Sequence, residues 1–304
     1  MAATVYFRRN VSYTQSGDAG IFHARAGGFM DLQHSDKVFA GAIPEVYEAL
    51  MVPMIFAPYA ADMAARIAAL QPRRVLELAA GTGVLTREIA GRLPAETLIV
   101  ATDLNAPMLA RAEQAGTSRP VHWREADAMA LPFADASFDM VACQFGVMFF
   151  PEKGRAFAEA RRVLVPGGTL IFNVWDQLEF NAFARDVTGA LATLFPDAPP
   201  EFMARVPHGY HSQAAIEQDL RLGGFQSSPV FETVAATSRA SAARIPAVAF
   251  CQGTPLRADL ERRGPDALGR ATDHCEQALL EAYGDGPLAG PMQAHVVMVT
   301  APAG

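Results

Sequence analysis

The run Val75-Leu76-Glu77-Leu78-Ala79-Ala80-Gly81-Thr82-Gly83 restricts this chain more than any other stretch. Residues 75–78 are apolar apart from Glu77 and read as a buried parallel strand. Small residues follow, and a helix opens at Val84 and runs over 84–91. Gly81 and Gly83 permit a tight turn and close approach of a ligand to the backbone. The helix then aims its positive end and free N–H groups at that ligand. Asp103 lies twenty residues past Gly83, at the end of a second apolar run, 97–102. A carboxylate there is placed to accept both hydroxyls of a ribose.

This unit admits three readings. A dinucleotide fingerprint needs G-x-G-x-x-G, and Gly81-Thr82-Gly83-Val84-Leu85-Thr86 lacks the third glycine. A nucleoside without a pyrophosphate is the second. The third is an ordinary βα turn that binds nothing.

The rest of the chain continues the alternation. Strands are expected at 75–79, 97–103, 121–125, 138–145 and 169–175. Helices are expected at 84–91, 106–115 with Asn105 as N-cap, and 152–164, where Pro166-Gly167-Gly168 stops the chain. Strands and helices at this spacing mean a mostly parallel sheet covered on both faces. Before it, Ile43-Pro44-Glu45 opens one helix, and a second runs over about 58–70, interrupted from the first by Pro53 and Pro58. After it, a helix is expected over 180–194, one starting at Ser212 and ending at Gly223-Gly224, a strand at 230–236, two or three helices over 240–283, and a last strand at 295–300. Residues 1–35 lack periodicity and read as a loose arm. Met30 offers a second start, which would make 1–29 an extension.

Composition excludes several classes. A net charge of −7 and a pI near 5.5 argue against a general nucleic-acid partner, which needs a basic face. Cys143, Cys251 and Cys275 are far apart with no C-x-x-C spacing, so neither a disulfide framework nor a thiolate zinc site is implied, and a reducing cytoplasm fits. No secretory signal is visible, and the apolar stretch 50–70 is broken by Pro53, Pro58, Asp62 and Arg66, so no membrane span is expected.

Three motifs carry a resemblance. Glu77 to Gly83 resembles the E-x-G-x-G-x-G motif of the class I S-adenosylmethionine-dependent methyltransferases, with Ala79 in place of the first glycine. Leu131-Pro132-Phe133-Ala134-Asp135-Ala136-Ser137-Phe138-Asp139-Met140-Val141 resembles the LPF-x-D-x-SFD-x-V run of their quinone/sterol-type, UbiE-like branch. Arg161-Arg162-Val163-Leu164-Val165-Pro166-Gly167-Gly168 resembles their late R-V-L-x-P-G-G motif. The three occur in the family's order across roughly 72–176.

The resemblance implies a Rossmann-like, seven-stranded, mostly parallel sheet with an antiparallel last strand, an N-terminal helical lid over 36–71, a cofactor-binding core over 72–176, and acceptor-side helices and final strands over 177–304. It implies S-adenosylmethionine as cofactor, no metal, and methyl transfer to a small-molecule acceptor; a homo-oligomer is left open. Glu77 would order the loop. Ala79, Gly81, Thr82 and Gly83 would line the methionine and ribose. Asp103 would hold the ribose hydroxyls. Leu104 and Met108 would pack near the adenine, and Asp127 and Ala128 would meet its amine edge. Gln144 and Phe145 would face the methionine part or the acceptor from the end of the fourth strand. Ala79 fits only if its φ stays negative. The segment Lys37 to Tyr47 resembles the lid of small-molecule members, including antibiotic N-methyltransferases, so Tyr47 would cover the sulfonium or acceptor. Tyr47, His208 and His211 are the candidate bases, although His208 and His211 read more readily as a surface pair on a loop. The competing functions are an NAD(P)-dependent oxidoreductase and a non-catalytic nucleotide-binding protein on the same fold.

Overall fold

Apolar runs bounded by turns close into one sheet of seven strands: β1 (Arg74–Glu77), β2 (Leu98–Asp103), β3 (His122–Glu125), β4 (Phe138–Gln144), β5 (Leu164–Trp175), β6 (Val230–Ala240) and β7 (Leu288–Thr300). Their order is β3-β2-β1-β4-β5-β7-β6, and β7 alone runs antiparallel to its neighbours. The computed structural model describes residues 34–303; the expected arm falls almost wholly outside them. The Rossmann-like architecture expected from the sequence is the one observed.

Helices cover both faces. α2 (Ala57–Ala69) packs on α3 (Val84–Arg92), and Met63, Ile67, Leu85 and Ile89 meet Val75, Ile99, Met140, Ile171 and Val296 in one buried cluster. Side chains alternate along a strand, so Phe172 points the other way and meets Phe157 of α5 (Lys153–Val163), their rings 5.4 Å apart. α4 (Ala106–Ala115) leads from β2 toward β3. Between β5 and β6 lie α6 (Ala182–Leu194), α7 (Phe202–Arg205) and α8 (Gln213–Leu222), the last capped by Ser212 Oγ accepting from Ala215 N at 3.4 Å. Between β6 and β7 lie α9 (Arg244–Gln252), α10 (Leu256–Arg262) and α11 (Ala267–Tyr283).

Three local expectations are corrected. The two early helices are one continuous helical run, Ile43–Ala69, because Tyr47–Phe56 is wound as a π-helix. Proline clashes with the carbonyl four residues back and offers it no N–H; the wider π turn, bonded five residues apart, removes that conflict at Pro53. Pro58 lies inside the same run and offers no N–H to the Met54 carbonyl four residues back, which accepts instead from Ser238 Oγ at 3.1 Å. This run is long and apolar enough to cross a membrane, yet Tyr59, Ala60, Met63, Ala64 and Ile67 are buried in the protein core, and it is a core helix. Second, Pro166-Gly167-Gly168 lies inside β5, with Gly167 at φ +76 where the strand pairing shifts register. Third, Asn105 does not cap α4 with its side chain; its Oδ1 accepts from Phe39 N at 3.1 Å.

Candidate active site

β1 and β4 are neighbours, but their connections leave in opposite directions across the sheet, and a crevice opens above their carboxyl ends. A cavity of about 1350 Å³, including its open mouth, fills that crevice. Acids stand at two strand tips. Asp103 ends β2 and is 7% exposed; its Oδ2 accepts from Gly81 N at 2.9 Å and its Oδ1 from Asn105 N at 2.8 Å. Burial raises its pKa above the ordinary carboxylate value, opposed by the N–H groups of Asn105 and Gly81. Asp127 follows β3; its Oδ1 accepts from Met129 N at 2.9 Å, and it lines the same cavity. Between them Leu104 lies on the wall while remaining 45% exposed, an apolar platform open to a flat ring.

The glycine turn forms the floor. A Cβ on Gly81 would sit 3.6 Å from Met108 Cε and 3.8 Å from the Tyr47 hydroxyl, so that space is bounded by two side chains and left clear by the glycine. Gly83 is turned away: its Cβ would meet Trp123 and Ala112 at 3.0 and 3.1 Å, so it serves packing rather than the cavity wall. Thr82 is fully buried and its Oγ1 has no partner. Within the turn itself Gly81 N donates to Asp103, Ala80 N to Thr102 O and Gly83 N to Ala80 O.

Glu77 lies behind the turn, buried, accepting from Thr86 Oγ1 at 2.6 Å. Burial pushes its pKa up to about 8, so it is largely protonated at neutrality. Its place is under the loop and not on the cavity wall.

Ala79 corrects an expectation. It stands at φ +51, in the left-handed region, and Phe145 at the tip of the adjacent strand stands at φ +50. Such positions cost about 1–3 kcal/mol each and survive only where neighbours fix them. Gly146 makes room for Ala79: a Cβ there would fall 2.5 Å from the Ala79 methyl. Asn173 fixes Phe145, its Oδ1 accepting from Phe145 N at 2.8 Å, while Phe145 stacks on Trp175 with centroids 3.9 Å apart. Beside it Gln144 is nearly buried, and its Oε1 has no partner, which no solvated strand-end amide would show.

The roof is built from the early segment. Tyr47 stacks on Phe56 with centroids 4.8 Å apart, and Phe39 packs edge-on against Tyr47 and Phe149. Asp36 holds Arg205 of α7 through two hydrogen bonds of 2.7 and 2.9 Å. Burial, with Asp103 and Glu48 nearby, raises the Tyr47 phenol far above its usual range. That environment disfavours a phenolate at Tyr47.

His208 and His211 part company. His211 bonds the His208 carbonyl through Nδ1 at 2.8 Å and lies off the cavity wall. His208 lines the cavity, is 4% exposed, and places Nδ1 2.8 Å from the Asp176 carbonyl. The surface-pair reading fails for His208 because the end of β5 and α7 enclose it.

Residues 76–172 match the family model described as a methyltransferase domain. Over this segment the chain resembles the class I, UbiE-like methyltransferases. The demethylmenaquinone methyltransferase of Deinococcus radiodurans is 40% identical over 134 residues, 43% of this chain and 53% of the relative. The ubiquinone/menaquinone biosynthesis C-methyltransferase UbiE of Dinoroseobacter shibae is 41% identical over 116 residues, 36% of this chain and 46% of the relative. The chain thus spans about half the length of the curated relatives it matches. Among solved structures, phosphoethanolamine N-methyltransferase 2 of Haemonchus contortus, in complex with S-adenosyl-L-methionine, aligns with a TM-score of 0.54 at 16% identity, over 92% of this chain and 62% of that one; this is a likeness of fold.

The matched segment supplies the floor, the acids and Phe149, whereas the rest of the roof and far wall comes from outside it. Sequence reasoning did not single out Asp36, Phe39, Phe56 or Trp175. Phe39 lay within the lid-like run, but the partners of the others are set by contacts distant in sequence and left no local signal. Phe183 and Phe202, legible only as apolar residues fit for a hydrophobic acceptor or for the core, are on the cavity wall.

Proposed function

We propose that this protein is an S-adenosylmethionine-dependent methyltransferase acting on a small apolar acceptor. One observation carries the reading: a cavity at the sheet's switch point with Asp103 and Asp127 on successive strand tips, an exposed Leu104 between them, and a cleared space above Gly81. The unpaired Gln144 Oε1 on the cavity wall fits a ligand that brings its own polar groups. Asp103 would hold the ribose hydroxyls, Leu104 and Asp127 the adenine, and Gly81 and Gln144 the amino-acid portion. The bound cofactor supplies a methyl group already activated on a cationic sulfur.

The chain's work is then to position and to dry. Tyr47, Phe39 and Phe149 close the roof over the cavity, and Asn105 ties that roof to the cofactor side through Phe39 N. Holding an acceptor in line can supply roughly 7–11 kcal/mol of a barrier. Tyr47 offers a π face and a protonated hydroxyl. The relatives' names point to quinone-like acceptors, but the family match covers only residues 76–172, and the acceptor wall here is built mostly from residues outside it.

Calorimetry with S-adenosylmethionine, S-adenosylhomocysteine and NADH tests the reading. Micromolar binding of the first two is expected. Binding of NADH alone would replace it with the oxidoreductase, and cofactor binding without methyl transfer to any acceptor would make the protein a nucleotide-binding module.

A further inference from the structure

Beyond the cofactor end, the cavity is walled by Met51, Phe149, Phe183, Phe202, Met203 and Phe250. Polar side chains on this part of the wall are mostly spent. Asn181 Nδ2 donates to the carbonyls of Asp176, Gln177 and Gln293, and its Oδ1 accepts from Gln293 N. Ser238 Oγ donates to Met54 O, and Thr254 Oγ1 donates to Phe250 O while accepting from Leu256 N. His208 is the exception. A ring nitrogen facing a carbonyl must carry the hydrogen, so Nδ1–H donates to Asp176 O and the Nε2 lone pair is left without a protein partner. The ring sits 6.1 Å from Trp175, which stacks on Phe145 at the strand tip.

Charge narrows the ligand further. The only carboxylates among the described wall residues are Asp103 and Asp127, both at the nucleoside end, and the one lysine is Lys37. An ammonium in the apolar part would be desolvated with no counter-ion, next to the cationic sulfur of the cofactor.

We propose that His208 is the proton acceptor of the reaction and that the acceptor substrate is a neutral, apolar molecule bearing an acidic hydroxyl, of the phenol or enol class, rather than an amine. This rests on the methyltransferase reading. The hydroxyl donates to Nε2. As its electron pair forms the bond to the methyl carbon, through oxygen or a conjugated carbon, the carbon–sulfur bond breaks with its pair remaining on sulfur. The hydroxyl proton passes to Nε2 and then to water. A phenol of ordinary pKa near 10 becomes strongly acidic as it is alkylated, so a base lying between those extremes suffices. Burial lowers the His208 pKa to about 4, with Asp176, Glu179 and His211 as the titratable groups around it, which keeps Nε2 free at neutral pH.

The test uses 2-naphthol and 2-naphthylmethylamine as probes on the full chain saturated with S-adenosylhomocysteine. Calorimetry is expected to show naphthol binding at least about tenfold more tightly than the amine. With S-adenosylmethionine, His208→Gln should cut methylation of naphthol at pH 7 by roughly 10²–10⁴-fold while leaving S-adenosylhomocysteine affinity unchanged. The variant's rate should climb about tenfold per pH unit until naphthol itself ionises, whereas the wild-type rate stays flat over that range. Nitrogen-15 NMR of the wild-type imidazole should show the Nδ1–H tautomer, a readout that survives a misfolded variant. Equal or tighter amine binding, an unaltered pH profile in His208→Gln, an Nε2–H tautomer, or no binding of either probe would each overturn the proposal. Failure of S-adenosylhomocysteine itself to bind would instead sink the cofactor reading beneath it.

Discussion

Ala79 and Gly146 lie 67 residues apart in the sequence and on adjacent strand tips in the fold, and their fit can be measured as a coupling. Gly146 has φ −102, so Gly146→Ala carries no backbone penalty. Its new methyl would fall 2.5 Å from Ala79 Cβ and 2.7 Å from Cys143 Sγ, well inside normal contact. Overpacking of that kind costs about 1–3 kcal/mol. Ala79→Gly removes one of the two clashes, leaving Ala79 Cα at an ordinary 3.8 Å. Alone, Ala79→Gly relieves about 1–2 kcal/mol of left-handed strain and loses about 0.4–1 kcal/mol to the freer unfolded chain, a net gain under about 1.5 kcal/mol. The double variant should therefore be more stable than the sum of the singles by about 1 kcal/mol, read from urea unfolding followed by tryptophan fluorescence. Additivity within about 0.3 kcal/mol would mean that the methyl of Ala79 does not press on Gly146 and that the two strand tips stand further apart than this contact requires.

Three further outcomes follow from the same site. Asp103→Asn keeps the shape but replaces one acceptor oxygen by a donor, so S-adenosylhomocysteine affinity should fall by about 1–3 kcal/mol in calorimetry; unchanged affinity would put the ribose elsewhere. Glu77 has a folded pKa near 8 against an ordinary 4.5, so it binds its proton more tightly when folded. Its contribution is whole below pH 4.5 and is lost as pH rises through 8. Glu77→Gln should therefore gain on the wild type from pH 4.5 to about 8 and stay level above that, by a few kcal/mol at most, and a parallel pair of stability–pH curves would refute the buried acid. Tyr47→Phe should keep the stack on Phe56 and hold turnover within about tenfold, since burial disfavours the ionised phenol, whereas Tyr47→Ala should open the roof and raise KM; equal loss in both would make the hydroxyl, and not the ring, the active part.

What the sequence disclosed and what it withheld divide along a physical line. Ile99 to Ala101 and Met140 to Cys143 are covered on both faces, so they read as unbroken apolar runs, and an acid just after such a run has to sit at the strand's carboxyl tip. Asp103 was legible for that reason, since strand, tip and acid are neighbours in the chain; Asp127 follows the polar, largely exposed β3 and was legible only through the family resemblance. The winding around Pro53 was not, because helical and π turns draw on the same residues and only packing of Met54, Ile55 and Phe56 chooses between them. Nor was the burial of His208. Pro207-His208-Gly209-Tyr210-His211 has the polarity of a surface turn, and it is the carbonyl of Asp176, 32 residues away, that draws one imidazole inward and leaves the other outside the cavity. The same division separates cofactor from acceptor. Recognition of a common nucleoside needs groups set by local strand geometry, which recur wherever that strand–turn–helix unit does. The acceptor wall joins residues of the π-helix, the β4–α5 loop, α6, α7 and α9, and each surface exists only once the other four have packed. Acceptor choice can therefore change by altering residues outside 76–172 while the cofactor end stays fixed, and Phe202 and Phe250, which touch none of the strand tips in sequence, are the positions where such a change would begin.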